Sequence, residues 1–183
     1  SLHLGANSWK TTRVISIGFI KNPSRVQVET MTDDLFTPIE IQSIKSKIDF
    51  WLQNQIDEDA VIKSADYDIN ESRWYVRVTG EEKQHYMILL TLHQRTLHFE
   101  TYVMPEPEEN KEDFYRHFLM RNNKLKNLSF SIGQENAIYL SGEMQNQWIS
   151  ESSLDWMIGS IYATIELTFK PALKIGFASR FFG

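Results

Sequence analysis

The sequence predicts an α+β fold in which three helices pack on an antiparallel β-sheet. Apolar residues recur with the helical period of about 3.6 in three stretches, which begin near residues 37, 110 and 151. Residues 61–103 and 128–141 instead alternate apolar and polar side chains, as strands with one buried face do. The order α-β-β-β-β-α-β-β-α therefore describes a β-meander, a second hairpin and helices segregated to one side.

The first helix has the clearest start in the sequence. Thr37 is a favourable N-cap residue, Pro38 suits the first helical position, and Glu40 completes a capping box. The side chains that share one face of this helix are Ile41, Ile44, Ile48, Trp51 and Leu52. We predict that this face is buried and that the helix ends near Gln55 or Ile56.

The chain is predicted to have an N-terminal arm and one domain. Residues 1–36 contain two short β-rich stretches separated by Asn22-Pro23-Ser24. We predict that these residues form an arm that lies along the domain or is partly disordered. Residues 37–183 are predicted to form a single α+β domain, since the chain is too short for two domains of ordinary size.

Four strands are predicted to form the meander. The first covers residues 61–69, and the second, 73–79, alternates around Trp74, Val76 and Val78. The third, 86–92, is almost wholly apolar and suits a central strand. The fourth, 97–103, alternates again. Proline cannot donate to a β-ladder, so Pro105 is predicted to end the sheet at this point.

The second half is predicted to contain a helix and one hairpin before the last helix. Asn110 is predicted to cap a second helix. Its buried stripe is predicted to comprise Phe114, Phe118, Leu119 and Leu125. Residues 128–132 and 137–141 are predicted to pair as a hairpin.

A last helix is predicted over residues 151–169. Its apolar side chains recur at close to ideal helical spacing. Lys170-Pro171 is predicted to stop it, because proline removes a helical hydrogen bond. The tail after it contains Phe177, Phe181 and Phe182, and we predict that this aromatic tail docks on the protein.

Composition excludes several classes of function. The net charge of −5 argues against a nucleic-acid-binding scaffold. The lack of cysteine excludes disulfides, thiolate metal sites and cysteine nucleophiles, and favours a reducing compartment. No apolar run approaches the roughly 18 residues that a membrane span needs. We predict a soluble, cytoplasmic protein that binds neither nucleic acid nor membranes.

No catalytic, cofactor or metal site is predicted. His93 and His98 flank a turn, with His85 and Glu100 nearby, but surface histidines explain this spacing better than a metal site. The acidic residues of 106–113 lack the glycine and alternating spacing of a calcium loop. Nucleophile-elbow and nucleotide-binding motifs are also absent from the sequence.

The aromatic residues are more informative about function. Trp51, Trp74 and Trp156 fit predicted core faces. Other aromatic residues fall on the polar side of strands, in a polar linker or in the tail, where they are candidates for a protein-binding surface. These candidates are Tyr75, Tyr102, Tyr139, Trp148, Phe177 and Phe181. Ordinary cross-strand pairing is the alternative explanation for the three tyrosines.

Four stretches resemble the bacterial YbjN-like family, whose members are described as sensory transduction regulators. They are RVTGEEKQHY (77–86), RTLHFETYVMPEPEEN (95–110), RNNKL (121–125) and FKPALKIGFASRF (169–181). With the order of elements, the resemblance covers roughly residues 37–181. It implies the fold of the type III secretion chaperones, which are small acidic homodimers that cradle unfolded stretches of effector proteins. It implies no active site.

Three functions remain open from the sequence. The first is a non-enzymatic, chaperone-like or regulatory module that acts as a homodimer and holds a protein segment on its sheet face or along an edge strand. The second is a small-molecule sensor or enzyme with a pocket between sheet and helices. The third is a structural subunit of a larger assembly.

Overall fold

The strands form one antiparallel sheet in the part of the chain that is described. The computed structural model describes residues 35–183, so the arm predicted over 1–36 lies outside the described residues except for Leu35 and Phe36. The strands are β1 (Ile62–Asp68), β2 (Arg73–Val78), β3 (Tyr86–Leu92), β4 (Thr96–Met104), β5 (Leu128–Ile132) and β6 (Ile138–Gln145). Their order is β1-β2-β3-β4-β6-β5. The predicted meander and second hairpin are confirmed, and β6 joins them by pairing with β4.

The long helices pack on one face of this sheet. The helices are α1 (Pro38–Asp57), α2 (Lys111–Asn122), α3 (Glu151–Gly176) and the short α4 (Ala178–Phe181). Residues of α1, α2 and α3 share a single buried cluster with the alternate, inward-facing residues of the strands. The α+β class predicted from the sequence is therefore confirmed. None of the described helices is both long and apolar enough to cross a membrane.

Helix α1 begins as its sequence predicts. Thr37 Oγ1 accepts a hydrogen bond from the Glu40 amide at 3.3 Å, and the Glu40 carboxylate accepts one from the Thr37 amide at 2.7 Å. This reciprocal capping box satisfies backbone donors that a helix start leaves unpaired. Of the predicted face of α1, Ile44, Ile48, Trp51 and Leu52 are buried, whereas Ile41 is only partly buried.

Two tryptophan hydrogen bonds hold α1 in place. Trp74 Nε1, on β2, donates to Asp49 Oδ1 at 2.7 Å. Trp51 Nε1 donates to Asp155 Oδ1 on α3, also at 2.7 Å. Each indole is buried with its only polar atom paired, which avoids the penalty of an unsatisfied donor. Helix α1 is thereby fixed to both the sheet and α3.

The prediction that α3 stops at Lys170-Pro171 is wrong. The helix continues through Pro171 to Gly176. Pro171 lies on the exposed side, whereas Ala172 and Gly176 beyond it are fully buried against the core. A Cβ on Gly176 would lie 2.6 Å from the Phe114 ring, so α3 and α2 approach closely at this point. Packing of the last two turns therefore outweighs the lost hydrogen bond.

Two residues predicted to be buried are exposed. Trp156 is 48% exposed, because the face of α3 toward the core is set by Leu154, Met157 and Ile158 and their successors. Leu119 is 66% exposed, since it follows Phe118 by one residue and so lies about 100° around the helix from the buried side. Both predictions were wrong because each helix buries only the residues on one side. An apolar residue outside that side stays exposed although it is hydrophobic.

The aromatic tail is only partly docked. Phe177 is buried against Phe114, with ring centroids 6.2 Å apart. Phe181 and Phe182, by contrast, are both about half exposed.

Asn110 occupies the N-cap position of α2 as predicted, but its side chain donates to the Ile175 carbonyl at 3.0 Å instead of capping α2. The segment before α2 is in this way tied to the end of α3.

Candidate protein-binding surface

The sheet has a second face that the described helices leave uncovered, here called the open face. It is formed by the alternate residues that point away from the buried cluster. On the four central strands these are Arg73, Tyr75, Arg77, Met87, Leu89, Thr91, His98, Glu100, Tyr102, Tyr139, Ser141 and Glu143. None of them belongs to the buried cluster or is among the hydrophobic residues packed against it. The open face is therefore the side of the sheet that the described helices do not cover.

The centre of the open face is apolar. Tyr75 on β2 lies directly opposite Leu89 on β3, and Met87 lies two residues before Leu89 on the same face. Tyr102 on β4 lies opposite Tyr139 on β6, and their rings meet edge to face with centroids 5.7 Å apart. We call these five residues, Tyr75, Met87, Leu89, Tyr102 and Tyr139, the apolar patch. It crosses four neighbouring strands.

Charged residues border the apolar patch. Arg73 Nη1 pairs with Glu71 at 2.7 Å, while Arg73 Nε donates to the Thr91 hydroxyl at 2.9 Å. On the other side, His98 Nε2 lies 3.9 Å from Glu100. Burial, followed by the neighbouring Tyr139, raises the pKa of Tyr102, so its hydroxyl stays neutral and can donate. The surface thus has a hydrophobic centre and a polar rim, as protein interfaces do.

Lys83 supports one end of the apolar patch. Its ammonium donates to the carbonyls of Tyr102 at 2.7 Å and Val103 at 2.5 Å. Pairing between β3 and β4 extends only as far as Thr101, so these two carbonyls lie beyond that ladder. The Lys83 ammonium also lies 5.2 Å from the centroid of the Tyr102 ring. Lys83 thereby takes the place of a strand partner at the end of β4.

The loop that carries Lys83 is fixed by α3. Glu166 accepts hydrogen bonds from the backbone amides of Glu81 and Glu82 at 3.0 and 2.8 Å. A Cβ on Gly80 would lie 2.2 Å from the Glu166 carboxylate, so glycine permits this close approach. The loop between β2 and β3 is therefore packed on the helix layer, which places Lys83 in a half-buried position.

Stability is expected to depend on pH through Lys83. Burial lowers the pKa of Lys83 to about 8, whereas in the unfolded chain it titrates near 10.5. Between these values the unfolded state binds more protons, so stability rises with pH, by about 1.4 kcal/mol for each unit of pKa difference. Urea unfolding at pH 7.5 and 9.5 is expected to show the native chain gaining about 1–2 kcal/mol relative to Lys83→Met. A difference between the two proteins that does not change with pH would contradict this assignment.

The structure brings together three of the six predicted binding residues. Tyr75, Tyr102 and Tyr139 lie on the open face. Trp148 is 59% exposed in a short 3₁₀ turn (Asn146–Trp148) after β6, beyond the opposite end of that strand from Tyr139. Phe177 is buried in the core, and Phe181 lies beside it on α4. The last three residues are therefore not part of the apolar patch.

Sequence reasoning missed Met87 and Leu89. Strand β3 is almost wholly apolar, which predicts a central strand but does not indicate which of its residues face away from the helices. In an antiparallel sheet with helices on one side only, half of such a strand must point away from the core. An apolar central strand in a predicted α+β fold was therefore the available signal for this surface.

Shallow depressions, but no cluster of side chains suited to a metal ion, lie among the described residues. Within residues 35–183 no three His, Asp or Glu side chains are grouped so that they could hold a metal ion. One shallow depression lies on the outer side of α2 around Tyr115 and Leu119, and another lies on the open face around His98 and Ser141. Neither lies between sheet and helices, where the predicted alternative function would need its pocket.

The chain resembles proteins of unknown role in sequence. It is 30% identical over 107 residues to the uncharacterized protein ML2442 of Mycobacterium leprae, an alignment that covers 58% of each chain. It is 29% identical over 104 residues to the uncharacterized protein Rv0487 of Mycobacterium tuberculosis, covering 57% of each. The chain thus spans a little over half the length of the curated relatives it matches. No family model matches the chain, so the YbjN-like likeness of its four stretches stays a resemblance.

Solved structures share the architecture. A chain of the HopA1–SchA chaperone–effector complex aligns with a TM-score of 0.52 and 6% identity, over 74% of this chain and 99% of that chain. A chain of the ExsC–ExsE complex aligns with a TM-score of 0.50 and 15% identity, over 67% and 91%. A third match is the complex of the Yersinia pestis type III secretion chaperone SycH with a fragment of YscM2. One chain of that complex aligns with a TM-score of 0.44 and 10% identity, over 65% of this chain and 97% of that chain. The chain has a type III secretion chaperone-like fold. Identities this low show the fold alone.

Proposed function

We propose that the chain is a non-enzymatic, chaperone-like protein-binding module that acts as a homodimer and holds a segment of another protein on the open face. The apolar patch is the observation that carries this proposal. Its five large side chains lie on four neighbouring strands of a face that the described helices leave uncovered, with Glu100 opposite Leu89. Tyr102 is exposed and the other four are half-buried. Contiguous exposed apolar surface with a polar rim is typical of protein-binding sites, and tyrosines are frequent anchors of such interfaces.

The solved structures support a protein as the partner. The first of the similar chains belongs to the HopA1–SchA chaperone–effector complex. The second belongs to the complex of ExsC with ExsE. A fold hosts many functions, so the proposal depends on the apolar patch, and the shared architecture adds weight to it.

Self-association is proposed to use the other side of the molecule. The outer surfaces of the helices expose apolar side chains that are separate from the open face: Phe50, Leu119, Met120, Trp156 and Leu167. A dimer built there would leave both open faces free for partners. The resemblance noted in the sequence also implies a homodimer.

The binding test uses random 15-residue peptides displayed on phage and selected against the chain. Binding of the selected peptides is then measured by fluorescence anisotropy with the native chain and with the double variant Leu89→Thr, Tyr102→Thr. Threonine keeps the β-propensity of both strands while removing the apolar side chains. We expect binding to weaken about 30-fold, which corresponds to the loss of about 2 kcal/mol at a hot spot.

A matched control separates the open face from exposed apolar surface in general. Leu167→Gln removes an exposed apolar side chain from α3 and is expected to leave peptide binding unchanged. Light scattering of the same preparations is expected to give twice the chain mass of 21.5 kDa. Equal binding by the Leu89, Tyr102 double variant would refute the proposed surface, and a single-chain mass at micromolar concentration would refute the homodimer.

A further inference from the structure

The two edges of the sheet differ in whether they can accept another strand. At the β5 edge, Asn122 of α2 holds both backbone groups of Phe130. Its side-chain Nδ2 donates to the Phe130 carbonyl at 3.1 Å, and its Oδ1 accepts from the Phe130 amide at 2.8 Å. The Asn122 amide therefore stands where the peptide group of a neighbouring strand would bind. The backbone groups of Phe130, at the centre of β5, are therefore already hydrogen-bonded and cannot pair with another strand.

The β1 edge is open in the described part of the chain. Backbone hydrogen bonds of β1 run to β2, and no other described segment pairs with its outer side. Its sequence, IKSADYD, is rich in residues that are depleted in strands. Ala65 and Tyr67 are only partly buried on the helix side of this strand. A strand of this kind gains both hydrogen bonds and side-chain cover from an added neighbour.

The surroundings of β1 are acidic. Residues 57–71 contain six acids and one lysine, Lys63, which is already paired with Asp59 at 2.8 Å. Asp66 and Asp68 point to the open-face side of the strand, where their cross-strand neighbours are Tyr75 and Arg73. Neither aspartate takes part in an ion pair among the described residues. The edge therefore presents two carboxylates, two residues apart, that lack an ion-pair partner among the described residues. Asp68 Oδ1 accepts a hydrogen bond from the Asn70 amide at 2.8 Å, which leaves its charge unneutralised.

This charge decides which occupant fits the edge. A second copy of the chain, paired through its own β1, would bring Asp66 and Asp68 against the same acidic residues. Like charges directly opposite each other in a sheet are destabilising. An extended segment with basic side chains at alternate positions would instead place each of them on the same face as an aspartate. Its intervening side chains would then cover Ala65 and Tyr67.

We propose that β1 is the docking edge for an extended segment of a partner protein that carries Lys or Arg at alternate positions. The segment adds a strand beside β1, its backbone pairs with the outward-facing backbone groups of β1, and its basic side chains pair with Asp66 and Asp68. This inference rests on the proposed protein-binding function and names the edge at which the held segment joins the sheet.

The test uses a fluorescent nine-residue peptide of alternating lysine and valine. Its binding to the chain is compared with that of the same peptide N-methylated along its backbone, which keeps the charge but cannot donate ladder hydrogen bonds. A peptide of alternating glutamate and valine is the charge control. We expect the N-methylated and acidic peptides to bind at least tenfold more weakly, and the Lys–Val peptide to bind more weakly at high salt.

A variant of the chain tests the two aspartates directly. Asp66→Asn with Asp68→Asn keeps the shape of both side chains and is expected to bind the Lys–Val peptide about tenfold more weakly, as two exposed ion pairs allow. Glu58→Gln, at an acidic position outside β1, is the control and is expected to bind as the native chain does. Circular dichroism checks that each variant is folded.

The outcomes separate this inference from the proposed function. Equal binding of the N-methylated peptide, or unchanged binding by the Asp66, Asp68 variant, would overturn the docking edge. If the Lys–Val peptide does not bind at all, the acids only prevent edge-to-edge association and the inference is also wrong. In each case, phage-selected peptides that still depend on Leu89 and Tyr102 would leave the proposed function standing.

Discussion

Replacement of Phe114 by alanine is expected to lower the free energy of unfolding by about 3–5 kcal/mol. Phe114 is fully buried where α2 meets α3. Its ring meets those of Phe118 and Phe177 edge to face, with centroids 5.1 and 6.2 Å away. The close approach of Gly176 leaves the neighbouring backbone little room to collapse into the cavity. Urea unfolding followed by circular dichroism measures the loss.

The control is Phe114→Leu, which keeps most of the apolar volume. We expect it to cost less than half as much as Phe114→Ala, because the remaining cavity is smaller. Equal losses for leucine and alanine would mean that the aromatic ring contacts, and not the filled volume, stabilise this junction. A loss below about 1 kcal/mol for alanine would show that α2 is not anchored here.

Replacement of Asn122 by alanine is expected to destabilise the protein and also to open a second edge. Two hydrogen bonds to Phe130 are lost, each contributing about 0.5–1.5 kcal/mol, so unfolding should become easier by about 1–3 kcal/mol. The freed amide and carbonyl of β5 then become available for pairing between molecules. Light scattering at increasing concentration is expected to show aggregates that the native chain does not form.

Asn123→Ala is the matched control for this prediction. Asn123 is the next residue in the chain, is exposed, and has no side-chain hydrogen bond to β5 in the described structure. It is expected to change stability by less than about 0.5 kcal/mol and to leave association unchanged. If both variants behave alike, the Asn122 amide does not protect the β5 edge.

Those parts of the fold that depend on local chemistry could be predicted from the sequence. The start of α1 follows from Thr37, Pro38 and Glu40, which satisfy one another within a single turn. The strands follow from a two-residue alternation that the buried face imposes. The end of α3 could not be predicted, because Pro171 is a local stop signal that the packing of Gly176 against α2 overrides.

The candidate surface was predictable only in part. Alternation places Tyr75, Tyr102 and Tyr139 on the polar side of their strands, and that prediction requires no knowledge of the sheet order. Leu89 was missed because its exposure depends on which face the helices cover. Asn122 was missed because it acts on a strand that begins several residues later, across a turn whose geometry the sequence does not reveal.

The strand order has a consequence for how the molecule folds. Strands β1 to β4 pair with their immediate neighbours in sequence, as do β5 and β6. Among the strand pairs of the described chain, only β4 with β6 joins segments distant in sequence, with partners from 34 residues apart (Met104 and Ile138) to 49 apart (Thr96 and Gln145). Closing so long a loop costs entropy before any contact compensates for it. We therefore expect the pairing of β4 with β6 to form after the two local groups of strands and to limit the folding rate.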